Sequence, residues 1–457
     1  MTRSDFPESE VKTRRSAANT RPLSVVYRSI ANLELDPSNP RLHPPRQVHQ
    51  IARSIKSFGF NVPILVDRRD KVIAGHGRIL ACRELGITEV PTISLEHLSE
   101  AQLRVFMIAD NHLTENSTWD ERLLAEQLKE LSTLDLDFSI ELTGFEMGEI
   151  DLMIEGLAPA NQSPDDPADV IPESLAKPHV TRPGDLWILD RHRVFCGDAR
   201  KDASYSILMN GRRAEMVFTD PPYNDPMDGY VTGFGKIHHP EFVVASGEMS
   251  EAEFTDFLTK NFGHLAHHSV EGALLFVCMD WRHLGELISA ARSVQLEFKN
   301  LCVWVKENAG QGSLYRSQHE LVFVFKNGKK PHRNNIQLGQ FGRYRTNVWN
   351  YRRVNSLSRS GEEGNLPNLH PTIKPVELVA DAILDCTARR DVVLDPFLGS
   401  GTTVIAAERT GRTCFGMELD PRYVDTILRR WQAFTGGHAI HESTGRPFND
   451  MEEDQHG

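Results

Sequence analysis

The sequence predicts an α/β protein in which a large doubly wound sheet follows a smaller α/β domain. Three observations indicate this arrangement. The chain has 457 residues, enough for two or three domains. From about residue 181, short runs rich in Val, Leu and Phe alternate with helical stretches, which is typical of parallel strands buried on both faces. A proline- and acid-rich stretch separates this part from the preceding one.

The amino-terminal part is predicted to contain a tail, a small domain and a helical extension. Residues 1–22 are polar and charged and have no signal-peptide pattern, so we expect a disordered tail. The domain spans 23–118 and the helical extension 119–157. Within the domain we expect a helix that begins near 51, strands at 63–67, 71–74 and 89–93, a tight glycine turn at 75–78, and helices at 79–85 and 100–113.

A linker is predicted at 158–180, because five prolines and four acidic residues leave too little apolar surface to order it. The main domain boundary is placed there. The larger domain follows at 181–436, and the polar residues 437–457 are expected to form a frayed tail. Buried strands of the larger domain are predicted at 214–219, 272–278, 301–305, 321–325, 392–394 and 413–417.

Composition restricts the class of protein. The formal net charge is −12, so any nucleic acid must be bound by a local basic face. The six cysteines are widely spaced and most lie in apolar runs, which predicts buried thiols in a reducing cytoplasm rather than a metal site. His264, His267 and His268 lack a completing ligand, and we predict no bound metal. Since no apolar run is long enough for a membrane span, no membrane contact is expected.

One short motif follows the strand at 214–219 directly. It reads Asp220-Pro221-Pro222-Tyr223 and would lie at the carboxyl edge of the sheet, where doubly wound proteins bind ligands. The motif presents a carboxylate, a carbonyl freed by the prolines and an aromatic face. Two acceptors that bind the N–H bonds of an aromatic amino group would localise its lone pair, and Tyr223 could stack on the base. The alternative is a proline turn with a capping aspartate.

A second motif links the strand at 392–394 to a helix. It runs from Asp395 through Phe397, Gly399 and Gly401 to Thr402 and Thr403. Glycines let a ligand approach the backbone, the helix amino terminus attracts a carboxylate, and we expect Thr402 or Thr403 to cap the helix. Glu418 lies 23 residues after Asp395, at the end of the next strand, where ribose hydroxyls are held in such folds. A dehydrogenase loop would have a third glycine, which this loop lacks.

The two motifs together resemble those of the amino-methylating DNA methyltransferases, in the order of the permuted β-type group. His370-Pro371-Thr372-Ile373-Lys374-Pro375 resembles the segment that borders the cofactor in that family, and Trp304-Val305-Lys306 and Gln318-His319-Glu320 resemble further segments. The resemblance covers 181–436. It implies a Rossmann-like fold that binds S-adenosylmethionine through Asp395, Phe397, Gly399, Gly401, Thr402, Glu418 and Lys374.

The resemblance also implies the reaction and its partner. Transfer of a methyl group to a base in double-stranded DNA requires the base to leave the helix. An Asp-Pro-Pro-Tyr motif resembles adenine N6 enzymes more than cytosine N4 enzymes, so adenine is the expected target and cytosine N4 the alternative. A cytosine C5 enzyme would need a cysteine after a proline, and none is present. The sequence leaves open an RNA substrate, a homodimer, a partner nuclease and a role in restriction-modification.

The amino-terminal module is similar to ParB amino-terminal domains over 25–115. The residues that carry this likeness are Asn39-Pro40-Arg41, Gly75-His76-Gly77-Arg78 and Asp110-Asn111 with Leu113. Nucleotide-binding ParB proteins have Gly-Glu-Arg-Arg at the turn, and here His76 and Gly77 replace the middle pair, so the resemblance does not carry CTP binding to this chain. We expect a DNA-contacting or regulatory role, with a structural glycine turn as the alternative. A further alternative is a regulatory DNA-binding protein whose methylase half is inactive.

A basic segment is predicted to contact DNA. Residues 326–359 contain nine Lys or Arg residues and no acid, with aromatic residues between them. We therefore predict target recognition within about 306–360, and we expect the loop 224–247 to close over the flipped base. The predicted DNA contacts are Lys329, Lys330, Arg333, Arg343, Arg345, Arg352 and Arg353.

Overall fold

A computed structural model describes residues 23–157, 167–170, 179–224, 247–306, 309, 314–351 and 373–456. Several predictions fall outside these residues: the tail 1–22, most of the linker, the interior of the loop 224–247, and both Arg352 and Arg353. The chain divides into two compact units. One comprises Met1–Asp120 and Leu136–Gly144, and the other comprises Glu121–Asp135 and Phe145–Gly457. None of the described helices is both long and apolar enough to cross a membrane.

The first unit is built on a five-stranded sheet in the order β1-β5-β3-β4-β2. The predicted strands are present, while the edge strand β1 and the short β2 were not predicted. Apolar residues of β3 and β4 form the core with helix α2. The elements are β1 Val25–Ser29, β2 Glu34–Leu35, α1 Pro45–Phe58, β3 Ile64–Val66, β4 Lys71–Ala74, α2 His76–Leu85, β5 Glu89–Ser94 and α3 Glu100–Glu115.

The predicted glycine turn at 75–78 is only partly a turn. Gly75 has φ 107° and forms the left-handed cap of α2, whereas His76 already belongs to the helix. A side chain at Gly75 would meet the side chain of Ile64 at 2.6 Å, so the position needs glycine for space as well as for conformation. The motif therefore starts a helix, and its side chains project from the first helical turn.

The second unit is built on a ten-stranded sheet in the order β12-β10-β11-β9-β8-β13-β14-β7-β6-β15. All six predicted strands are present, but the sheet is mixed, because β11 and β6 run antiparallel to their neighbours. Apolar periodicity does not encode strand direction, so this was not predicted. The strands are β6 Leu186–Leu189, β7 His192–Cys196, β8 Ala214–Thr219, β9 Ser269–Met279, β10 Glu297–Val305, β11 His319–Lys326, β12 Val348–Asn350, β13 Val392–Asp395, β14 Thr413–Glu418 and β15 Ile440–His441.

Helices cover both faces of this sheet. Met216 and Phe218 of β8 belong to one core and Ala214 and Val217 to another, so the strand is buried on both sides as its composition predicts. All six cysteines are buried. The helices of this unit are α4 Glu121–Thr133, α5 Met147–Glu155, α6 Asp202–Met209, α7 Glu251–His267, α8 Leu284–Ser293, α9 Val376–Cys386, α10 Thr402–Thr410, α11 Pro421–Thr435 and α12 Phe448–His456.

Helices α4 and α5, which lie in the predicted helical extension, belong to the second unit. Asp151 of α5 forms a bidentate ion pair with the fully buried Arg412 (2.9 and 2.7 Å), and Arg389 lies 3.1 Å from the same carboxylate. The first residues of the second unit are therefore those of α4, which begins at Glu121, whereas the sequence analysis placed the domain boundary at 158–180. Ala168, inside that predicted linker, is buried, and its carbonyl accepts a hydrogen bond from Arg430.

The prediction of a frayed tail at 437–457 is wrong. Residues 440–441 form the edge strand β15, and α12 follows. Phe448 at the start of α12 is completely buried, with its ring 5.5 Å from that of Trp187. A single apolar anchor in a polar stretch gives no periodic signal, which is why the sequence pattern does not reveal it.

Candidate active site

The two predicted motifs lie on adjacent strands at one edge of the large sheet. β8 and β13 are parallel neighbours, with Val217 opposite Leu394. Asp220 follows β8 directly, and Asp395 is the last residue of β13. Because both strands run in the same direction, the Asp-Pro-Pro-Tyr motif and the glycine loop leave the sheet side by side.

Two side chains hold the carboxylate of Asp220: Lys374, which precedes α9, and Tyr223 of the same motif. Its Oδ2 lies 2.5 Å from Nζ of Lys374, and its Oδ1 accepts a hydrogen bond from the hydroxyl of Tyr223 at 2.6 Å. Lys374 also lies 2.7 Å from Oε1 of Glu320. Lys306 binds the other oxygen of Glu320 at 2.8 Å. Two carboxylates and two ammonium groups thus form one cluster, which we call the Asp220 cluster.

The charges of the cluster favour an ionised Glu320. Burial opposes its ionisation, but Lys374 and Lys306 outweigh this and lower the pKa of Glu320 to about 2. Burial, with the charge of Glu320, raises the pKa of Asp220, although Lys374 opposes the shift. Burial also disfavours the charged form of Lys374, yet Asp220 and Glu320 together raise its pKa. Asp220 is therefore the better proton acceptor of the two acids.

Glu320 and Lys306 were not among the predicted site residues. Both belong to segments whose resemblance was noted: Lys306 directly follows β10, and Glu320 is the second residue of the buried strand β11. Because β11 is antiparallel to β9, its first residues reach the same edge as Asp220. Lys374 was predicted to hold the cofactor, but its ammonium group points into the Asp220 cluster instead.

The glycine loop has its own hydrogen-bond network. Asp395 accepts from the Thr403 hydroxyl at 2.6 Å and from the backbone N–H of Phe397 at 3.0 Å. Thr403 therefore binds Asp395 and does not cap α10, and Thr402 lies in the first helical turn. The cap is Gly401, at φ 85°. A side chain there would meet Ile427 at 2.9 Å, so Gly401 is required for both conformation and space.

Glu418 closes the loop onto β14. Its two carboxylate oxygens accept hydrogen bonds from the backbone N–H groups of Gly399 (2.9 Å) and Asp420 (3.0 Å). Burial raises the pKa of Glu418 to about 7, and burial likewise raises the pKa of Asp395 to about 7. Both carboxyl groups of the loop can therefore gain or lose a proton near neutral pH. The amino terminus of α10 has no side-chain cap. These features fit a ligand that carries both an ammonium group and a carboxylate.

The predicted DNA contacts do not form one surface. Arg343 is buried and pairs with Asp381 and Asp385 (2.9 Å each), and Arg345 pairs with the same two acids. Both acids lie on α9, and Asp385 is 42 residues after Arg343 in the chain. The structure thus contradicts the prediction that Arg343 and Arg345 contact DNA, because their guanidinium groups are already paired with these acids.

Lys329, Lys330 and Arg333 are exposed and follow the end of β11, at the edge of the sheet opposite Asp220. Lys326 at the end of β11 pairs with Leu274 of β9, five residues before the strand's end at Met279. Nζ of Lys330 approaches Glu271, near the start of β9. Since β9 runs parallel to β8, this is the edge opposite Asp220. Lys329, Lys330 and Arg333 are therefore not part of the Asp220 edge, and their contact with DNA stays a prediction.

The motif residues of the first unit surround one cleft of about 630 Å³. Asn39, Gly75, His76, Arg78 and Asn111 all line it, so the structure brings together segments that are far apart in the sequence. His76 is buried, and burial lowers its pKa, which favours a neutral imidazole. The arrangement is a formed cleft with an apolar wall and few fixed charges.

Three family models match successive parts of the chain. Residues 214–429 match a DNA methylase model of the N6/N4 type, and residues 15–111 match the ParB N-terminal domain. The chain thus contains a DNA methylase domain of the N6/N4 type, preceded by a ParB-like amino-terminal domain. Residues 122–183 of this methylase match the ParB-methyltransferase HTH domain, a segment to which the sequence motifs assigned no family.

Individual relatives match either the ParB-like domain or the methylase domain. A ParB-like nuclease domain-containing protein of Escherichia coli, YnaK, is 41% identical over 80 residues, which are 18% of the methylase chain and 92% of the relative. The Type II methyltransferase M2.MboI of Moraxella bovis is 25% identical over 232 residues, or 48% of this chain and 81% of the relative. The solved PvuII DNA methyltransferase, described as cytosine-N4-specific, is 17% identical with a TM-score of 0.39, covering 53% of this chain and 86% of its own.

Proposed function

We propose that this methylase transfers a methyl group from S-adenosylmethionine to N6 of an adenine in double-stranded DNA. The observation that carries the proposal is the placement of Asp220, which is held by Lys374 and Tyr223 beside the glycine loop of the next strand. The Asp-Pro-Pro-Tyr form of the motif favours adenine over cytosine N4. The base must be flipped out, because its amino group is paired inside the duplex.

Asp220 and Pro221 would bind the amino group. Although Oδ1 and Oδ2 of Asp220 already accept one hydrogen bond each, a carboxylate oxygen has two lone pairs, so one remains for an N–H of the base. The carbonyl of Pro221 would accept the second N–H. Both bonds favour a localised lone pair on nitrogen. The Tyr223 ring, fixed through its hydroxyl, would support the face of the base.

The donor would be held by the loop between β13 and α10. Asp395 and Glu418 offer carboxylates to an ammonium group and to hydroxyls, and the α10 amino terminus offers N–H groups to a carboxylate. Gly399 and Gly401 let the ligand approach the backbone, and the half-buried Phe397 precedes them in the same loop. When bound, S-adenosylmethionine supplies an electrophilic methyl group on a positively charged sulfur.

The role of Asp220 in the transfer is to accept the proton that leaves the amino nitrogen. As the N–C bond forms and the C–S bond breaks, the sulfur keeps the electron pair and the amino nitrogen loses one proton. Asp220 is placed to take that proton, since its pKa is raised while that of Glu320 is lowered. Lys374 keeps the carboxylate oriented throughout and stabilises its charge before the transfer.

The test is to identify the methylated nucleoside. Plasmid DNA without methyl marks is incubated with the full chain and labelled S-adenosylmethionine, digested to nucleosides and separated. N6-methyladenosine in its deoxy form is the expected product, and sequencing of the modified sites gives the recognition sequence. If the product were N4-methyldeoxycytidine, the proposed mechanism would stand and the target base would be cytosine instead of adenine. Absence of transfer to DNA, with DNA binding intact, would favour RNA or the regulatory alternative.

A further inference from the structure

An exposed tryptophan lies close to the Asp220 cluster. Cys278 near the end of β9 has its sulfur within 4.8 Å of carboxylate oxygens of Asp220 and Glu320. Trp281 comes three residues later, which is at most about 10 Å further along the chain. By continuation of the pairing between Met279 and Leu321, Trp281 emerges at the edge of the sheet where β11 begins.

The turn that carries Trp281 is well fixed. Asp280 caps a short helix, Trp281–His283, by accepting a hydrogen bond from the backbone N–H of Arg282 at 2.8 Å. The Arg282 side chain binds the same carboxylate at 2.6 Å. Trp281 nevertheless remains 59% exposed. A large aromatic side chain held on a rigid turn and left in solvent beside a reaction site indicates a contact with another molecule.

The charges around Trp281 favour a polyanion. Arg282 follows Trp281 directly and its side chain is 38% exposed, and the exposed Arg316 lies in the segment that leads into β11 at this edge. The neighbouring acids Asp280 and Glu320 are each bound to a cation, Asp280 to Arg282 and Glu320 to Lys306 and Lys374. An exposed aromatic ring flanked by cations matches a nucleic acid, which presents bases to stack on and phosphates to pair with.

We propose that Trp281 contacts the DNA helix at the target base and fills or stacks against the space that the flipped base leaves, while Arg282 contacts the adjacent phosphate. This inference rests on the proposed methylation of flipped DNA bases. It places the DNA at the Asp220 edge of the sheet, in contrast to the basic segment that the sequence pattern indicated. Apolar side chains that enter a base stack are a general means of opening a duplex.

The experiment compares two duplexes that contain the recognition site found by sequencing. In one the target base is normally paired, and in the other it lies opposite an abasic position, so that extrusion costs little. Trp281→Ala should lower kcat/KM on the paired duplex about tenfold. On the abasic duplex it should remain within about threefold of the unaltered enzyme, and Trp281→Phe should retain most activity on both.

Phe434→Ala is the matched control, because Phe434 is an exposed aromatic residue near the end of α11, outside both the Asp220 cluster and the segment predicted to recognise the target. It should leave both substrates unaffected. An equal loss on both duplexes in Trp281→Ala would indicate a structural role and overturn the inference, as would unchanged activity on both. Failure of the unaltered enzyme to methylate any DNA would instead contradict the proposed function, so the two failures are distinguishable.

Discussion

The ammonium group of Lys374 lies 2.7 Å from the carboxylate of Glu320, and both side chains are only 5% exposed. This buried pair sits directly behind Asp220, the residue proposed to bind the target amino group. Glu320 is thereby a positioning residue. It holds Lys374 in place, and its negative charge contributes to the raised pKa of Asp220.

Replacing Glu320 by Gln should therefore change both rate and pH dependence. With that charge removed, the pKa of Asp220 falls, so the acidic limb of the kcat profile should move to lower pH. We expect kcat to drop about tenfold or more, as for loss of a residue that orients a catalytic group. The measurement is the initial methylation rate between pH 5 and 9 at saturating substrates.

Glu297→Gln is the matched control for this change. Glu297 on β10 also binds two lysines, Lys299 and Lys326, but it is exposed and lies at the opposite edge of the sheet. It should leave rate and profile unchanged. An identical pH profile in Glu320→Gln and the unaltered enzyme would contradict the positioning role.

Asp220→Asn should abolish most activity while leaving the fold and donor binding intact. The amide retains the size of the carboxylate but cannot take the proton that the amino nitrogen loses. We expect kcat to fall by at least about a hundredfold. Turnover and S-adenosylmethionine affinity, measured on the same preparation, separate the two effects. Substantial remaining turnover would show that another group accepts the proton.

Binding of S-adenosylmethionine should weaken as the pH falls. Burial raises the pKa of Asp395 and Glu418 to about 7, so these carboxyl groups are protonated below that value and ionised above it. A positively charged ammonium group binds the ionised form. Affinity should therefore fall about tenfold from pH 7.5 to pH 6 if one group must ionise.

Titration calorimetry over this pH range measures the effect, together with the proton release that accompanies binding. Asp395→Asn should bind more weakly and with a flatter pH dependence. An affinity that does not change between pH 6 and 7.5 would show that neither carboxylate must ionise to hold the donor.

Removing Asp151 should destabilise the methylase unit strongly. Its carboxylate is the partner of the fully buried Arg412, so Asp151→Ala leaves an uncompensated buried charge and should cost about 3–5 kcal/mol of unfolding free energy. Denaturant unfolding measures this. Asp135→Ala is the control, because the Asp135 side chain is 99% exposed where it pairs with Arg390, and it should cost less than about 1 kcal/mol.

The sequence predicted the strands and motifs of the active site because these depend on local patterns. The run at 214–219 and the glycine loop each lie within about ten residues. The link between Glu320 and Lys374 joins segments 54 residues apart and depends on the antiparallel direction of β11. No apolar periodicity records that direction, so Glu320 could be suspected only from the resemblance of its segment.

The basic segment shows the limit of counting charges along a chain. Residues 326–359 contain no acid, and for that reason they were predicted to bind DNA. The counter-charges of Arg343 and Arg345 are Asp381 and Asp385, which α9 brings to them from outside the segment. Local charge density therefore indicated a surface where the folded chain has a buried ion-pair network.

The division of the chain has a practical consequence for anyone who expresses its parts. The backbone passes from the first unit to the second at residue 121, returns at 136 and leaves again at 145. No single cut can thus release either unit whole. A fragment that starts in the proline-rich stretch would also lack α5 and leave Arg412 without its acid. Truncations in the proline-rich stretch should therefore yield insoluble protein. A shortened chain that retains both Glu121–Asp135 and Phe145–Gly457 keeps the methylase unit complete.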